Sequence, residues 1–166
     1  MLIEGIVSQE DRELTSSLGN WTGDAVWDPG PVFTYTGLMK FSLVPYGSNK
    51  TVSLGYPNLK IQRNREPVFQ MITGKELIVN GYPYFTFLVT DGLGTNLVYD
   101  TPYYPDPYWQ GFSWSFTTPP SWNEKTGSIK ITLHMPDAAE GGVYIDWFSF
   151  PYLSKKPQYL PFVGIG

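Results

Sequence analysis

The sequence predicts an all-β domain built as an antiparallel sandwich, and three observations carry that expectation. Apolar residues recur with period two and nowhere with a helical period. The 17 glycines and 15 prolines are spread along the chain, so they punctuate many short elements instead of forming one disordered tract. The 166 residues suffice for one ordinary domain with its own core.

Taken in order, the segments LMKFSLV (38–44), NLKIQ (58–62) and VFQMIT (68–73) read as strands set off by Gly, Pro and Asn. In YFTFLV, Phe85, Phe87 and Val89 share a face, and the Asp91-Gly92 pair beyond it predicts a hairpin turn into TNLVYD (95–100). GFSWSFTTP is the clearest strand: Phe112, Trp114 and Phe116 face one side, and Ser113, Ser115 and Thr117 the other. SIKITLHM sets Ile129, Ile131, Leu133 and Met135 against Lys130, Thr132 and His134, and GVYIDWFSF (142–150) completes the set. No segment reads as a helix, and PDAAEGG between the last two strands is too short for one. About eight or nine short strands at roughly ten-residue spacing fit a sandwich or barrel.

Composition removes several function classes. Charged residues make up 16% of the chain, against about a quarter in average soluble usage, and the net charge is −4 with no basic cluster. A nucleic-acid partner would need that cluster to neutralise phosphate, so none is expected. No run approaches the roughly 20 apolar residues of a membrane helix, so no membrane insertion is expected either. The start MLIEGIVSQEDREL lacks the basic region and apolar run of a secretory signal. Without cysteine there are no disulfides and no thiolate metal sites.

The candidate binding surface lies in YDTPYYPDPYWQGFSW (99–114), which is dense in aromatic residues. Tyr103, Tyr104, Tyr108 and Trp109 are the expected rings, with Asp100, Asp106 and Gln110 as polar neighbours. Rings of this kind suit a sugar, whose apolar C–H face lies flat on Trp or Tyr while polar groups bond its hydroxyls. They suit a protein interface equally, because Tyr and Trp are enriched there too. Prolines 102, 105 and 107 stiffen the segment and reduce the entropy lost on binding. Trp21 and Trp27 form a second candidate pair, with Trp21 expected in the core, as are Trp114 and Trp147.

Catalytic signals are sparse. The lone His134 is expected as a solvated side chain, no Gly-x-Ser-x-Gly turn accompanies any serine, and P-loop and dinucleotide motifs are absent. A glycosidase needs two carboxylates at a set separation, which 15 acidic residues leave open as a third reading.

GNWTG (19–23), the strand at 37–44, the strand at 84–89, YWQGFSWSFTTP (108–119) and GGVYIDWFSF (141–150) follow one another in the order of jelly-roll carbohydrate-binding modules. The chain resembles that family over roughly residues 10–152, a resemblance of strands and turns more than of chemistry. It implies jelly-roll topology, non-catalytic binding, and a structural calcium ion held in part by the last strand. Asp146 stands at the corresponding place, while the family's second Asp is Trp147 here; Glu10, Asp11 and Glu13 supply further oxygen atoms. Such jelly rolls also serve as decoration, tail or adhesion components of phage particles.

The expectation is therefore a jelly roll over 1–156 followed by an apolar tail over 157–166, with Tyr159, Leu160 and Phe162 inviting a partner. The first reading is an assembly subunit contacting other protein subunits, as a homo-oligomer or on a virion surface. Its rival is an extracellular glycan-binding module.

Overall fold

The structure is a computed structural model and describes residues 2–3, 6–30, 37–136 and 138–153. The expected tail at 157–166 lies outside the described residues. Along the chain run β1 (Leu2–Ile3), α1 (Gln9–Glu13), β2 (Thr22–Gly23), β3 (Val26–Asp28), β4 (Leu38–Leu43), β5 (Lys50–Gly55), β6 (Val68–Lys75), β7 (Tyr84–Thr90), β8 (Asn96–Tyr103), β9 (Gln110–Ser115), β10 (Ser128–His134), β11 (Gly141–Ser149) and β12 (Tyr152–Leu153). No helix among the described residues is long and apolar enough to cross a membrane.

Two five-stranded antiparallel sheets face each other, the first in the order β2-β5-β10-β7-β8 and the second in the order β3-β4-β11-β6-β9. Successive strands from β4 to β7, and again from β8 to β11, change sheet, which is the winding of a jelly roll. The period-two pattern does what it predicts: Ile129, Ile131 and Leu133 on β10, and Phe85, Phe87 and Val89 on β7, all point into the space between the sheets. Phe85 and Phe87 meet Phe41, Phe69 and Phe112 of the second sheet at ring centroid separations of 5.7, 5.5 and 4.7 Å. Each fully buried side chain of this size contributes about 1.5–3 kcal/mol, so this row of rings holds the sheets together.

Four local expectations change. The segment 9–13 forms a one-turn helix, capped by Ser8, whose Oγ accepts from the Asp11 N–H at 3.3 Å, and ended by Leu14 in the left-handed region at φ 53°. Five residues are too few to show a helical period, although Ser8 and Asp11 carry the capping spacing. The β7–β8 turn uses five residues, not two, because the Asp91 carboxylate accepts from the Leu93 and Thr95 N–H groups.

Trp147 is not core: the β11–β6 register slips between Ile145 and Trp147, and the alternation reverses there. The slip leaves Trp147 half-buried and gives the core Phe148, which stacks on the buried Trp21 at 4.4 Å. His134 is not a solvated side chain. It stacks on Tyr84 at 4.6 Å, its Nε2 lies 2.7 Å from Thr86 Oγ1, and burial lowers its pKa below the ordinary histidine value.

Candidate functional site

β8 and β9 are the edge strands of the two sheets on the same side of the sandwich, so residues 104–109 carry the chain from one sheet to the other. The aromatic residues of this segment divide among three surroundings. Tyr99 and Tyr103 turn inward and close the gap between the sheets, with their rings 5.2 and 4.6 Å from that of Phe112. The Tyr103 hydroxyl donates to Gln110 Oε1 at 3.2 Å and lies 2.8 Å from Thr73 Oγ1. Burial raises the pKa of this phenol, and the nearby Asp106 carboxylate adds to the shift. Tyr104 packs against Tyr84 of β7 at 5.5 Å, whereas Tyr108 is 81% exposed. Asp100, Asp106 and Gln110 are also exposed.

Trp109 reaches the outer face of the second sheet. It lies on Gly74 of β6, where a Cβ would stand 2.7 Å from the indole; only glycine lets the ring come down onto the backbone. Gly74 pairs with Tyr144 of β11, and Tyr144 with Lys40 of β4, so the pleat itself sets these positions in one row. The Trp109 and Tyr144 rings are 6.2 Å apart and inclined by 42°, and Lys40 Nζ stands 5.8 Å from the centre of the Tyr144 ring. The Tyr144 hydroxyl donates to Glu76 Oε2 at 2.5 Å. A Cβ on Gly142 would meet the Glu76 carboxyl carbon at 2.9 Å and Lys40 Cε at 3.1 Å, so acid and base converge over that glycine. The face thus gathers an indole, a phenol, a carboxylate and an ammonium group, which between them can stack on a ring, accept from hydroxyls and donate to them.

Burial, the bond to Glu76 and the charges of Glu76 and Asp28 push the Tyr144 phenol up to about 12. The folded state therefore holds this proton after the unfolded chain, titrating near 10, has released it. The stabilisation is present below about pH 10 and is lost between about pH 10 and 12. In chemical denaturation at a series of alkaline pH values, Tyr144→Phe should show a shallower fall than the wild type over this window. Equal slopes would remove Tyr144 as a cause.

Sequence reasoning picked out Trp109 and Gln110 but passed over Tyr144, Glu76, Lys40 and Gly74. The alternation in GVYIDW already places Tyr144 opposite Val143 and Ile145, and that signal was readable. Glu76 carries no local signal, since its partner is 68 residues away.

The second candidate pair is structural. Trp21 is buried and donates from Nε1 to the Asp11 carbonyl at 2.8 Å, and Trp27 is half-buried and donates to the Leu14 carbonyl at 2.8 Å. A cavity of about 330 Å³ lined by Ile6, Val7, Ser8, Pro57, Asn58 and Lys60 has one charged side chain and no aromatic ring, so a sugar would find nothing there to stack on.

The helix α1 rests on β11, which brings Asp146 and the acidic residues of the opening segment to one region of the molecule. Asp146 is fully buried. The Asp11 carboxylate accepts from the Asn20 backbone N–H at 2.5 Å and from its side-chain amide at 3.1 Å, and Glu13 accepts from Gln9 at 3.2 Å. Among the described residues no group of three or more His, Cys, Asp or Glu could hold a metal ion.

No family model matches the sequence, and no curated protein does. Solved structures do. A family 61 carbohydrate-binding module in complex with β-1,4-galactotriose superposes with TM-score 0.61 at 11% identity, over 88% of this chain and 97% of that one. A CBM22-1 xylan-binding domain from Paenibacillus barcinonensis superposes with TM-score 0.60 at 12% identity, over 87% and 93%. The enzymatically active domain of tailspike protein 4 from bacteriophage CBA120 gives TM-score 0.63 at 11% identity, over 89% of this chain and 22% of that one. At these identities the likeness is one of fold, and the fold is the jelly-roll sandwich of carbohydrate-binding modules.

Proposed function

We propose that this protein is a non-catalytic glycan-binding module and that its binding face is the outer face of the second sheet. The carrying observation is Trp109 lying on Gly74 beside the Tyr144–Glu76 pair and Lys40. An indole held on the sheet at Gly74 offers ring surface to the C–H face of a pyranose, and Glu76 and Lys40 supply an acceptor and a donor for hydroxyls at the rim. Tyr108, exposed next to Trp109, extends the surface for a longer chain. Polysaccharides of this class lie outside cells, so the reading places the module in the extracellular space or on a particle surface.

A glycan array that includes xylans and galactans, followed by titration calorimetry on the best ligand, tests the reading. Gly74→Ala is the informative variant, because its methyl group would displace the indole without removing it. A displacement costing about 1–2 kcal/mol weakens binding on the order of tenfold. Absence of wild-type binding across the array, or an unchanged affinity in Gly74→Ala, would count against the proposed face.

A second reading, an assembly subunit such as a virion component, is supported by the exposed Leu77 and Tyr82 of the β6–β7 connection and by the fold shared with part of a tailspike.

A further inference from the structure

We propose that Tyr103 is a positioning residue that latches loop 104–109 and so holds Trp109 in its binding pose; this rests on reading Trp109 as the glycan platform. The Tyr103 hydroxyl touches two residues, and both are significant for where the indole sits. One is Gln110, the residue directly after Trp109, whose Oε1 accepts at 3.2 Å. The other is Thr73, the residue directly before Gly74, whose Oγ1 lies at 2.8 Å. A single phenol therefore ties the residue next to the ring to the residue next to the ring's socket.

Because Tyr103 and Gln110 flank the loop, their bond also closes its neck. The Thr73 hydroxyl also stands 3.5 Å from the Gln110 carbonyl. The Tyr103 ring is anchored independently of its hydroxyl, by packing on Phe112 at 4.6 Å. Within the loop, Pro105 is buried and Tyr104 rests on Tyr84 at 5.5 Å, so the chain is held on the first sheet at one end and on the second sheet at the other. A six-residue connection with two prolines, pinned in this way, has little freedom left to lose when a ligand binds. The inward tyrosine does its work without touching sugar.

Tyr103→Phe removes the hydroxyl with both of its bonds and keeps the ring, and Thr73→Val removes only the bond between the phenol and residue 73. Hydrogen exchange of the loop amides reads the latch directly and needs no ligand. Each variant is expected to speed exchange at 104–110 by about three- to tenfold, the range of one net hydrogen bond. β7 and β10 should exchange at the wild-type rate, and the double variant should be little worse than Tyr103→Phe alone. Dissociation of the best array ligand should quicken in the same proportion. Unchanged loop exchange, or an increase spread evenly over both sheets, would overturn the latch. If the loop responds but the wild type binds no glycan, the latch holds and the glycan reading is what falls.

Discussion

Trp109→Ala is expected to weaken glycan binding by about thirty- to a thousandfold, the range of a truncated aromatic hot spot worth about 2–4 kcal/mol. The indole is half-buried on Gly74, and its removal exposes bare backbone on β6 where the sugar would have stacked. Stability should suffer far less, because the ring lies on the outer face of the sheet and takes no part in the aromatic core between the sheets. Trp109→Phe, which keeps a smaller face in the same place, should fall between the wild type and alanine. Calorimetry with the best array ligand, run beside thermal melts, separates the two effects. An affinity within twofold of wild type would show that the sugar, if bound, lies elsewhere.

Asp91→Ala should cause the largest loss of stability among the polar substitutions considered. This carboxylate is 2% exposed and accepts from the backbone N–H groups of Leu93, Thr95 and Asn123 at 2.9, 3.0 and 3.2 Å. Its own carbonyl accepts the Thr126 hydroxyl. One side chain thus joins the β7–β8 turn to the 119–127 connection. Alanine would orphan all three donors at a cost of about 3 kcal/mol, which lowers the melting temperature of a domain this size by about 6–12 °C.

Burial by itself would raise the Asp91 pKa, but the three backbone donors outweigh it and the net shift is downward. A folded-state pKa below the unfolded one means that the stabilisation is complete above about pH 4 and fades as pH falls further. Asp91→Asn, which cannot titrate, should show a flatter stability profile below that pH. A melting temperature for Asp91→Ala within a degree or two of wild type, or an unchanged acid profile for Asp91→Asn, would refute the account.

Much of the fold was legible in the chain because alternation is local. Each pleated residue points opposite to its neighbour, so Phe85, Phe87, Ile129 and Ile131 declare the core face without knowledge of their partners. Legibility failed where a local rule was broken by something distant. Trp147 was misread because a register slip against β6 reverses the pattern, and no residue nearby announces it. His134 was misread because Tyr84 and Thr86, which cover it, belong to a strand about 50 residues earlier.

The aromatic segment shows the same division at the candidate site. By itself the sequence determined that 99–114 is rich in rings, stiffened by proline and set between two strands, because those are properties of consecutive residues. Only the tertiary structure decided that Tyr103 turns inward, that Tyr104 leans on the first sheet, and that Trp109 crosses to the second. The physical reason is that each ring goes where a distant strand leaves room for it: a glycine at 74 admits the indole, and a threonine at 73 meets the phenol. Tyr144 and Glu76, 68 residues apart, become neighbours only when β11 pairs with β6.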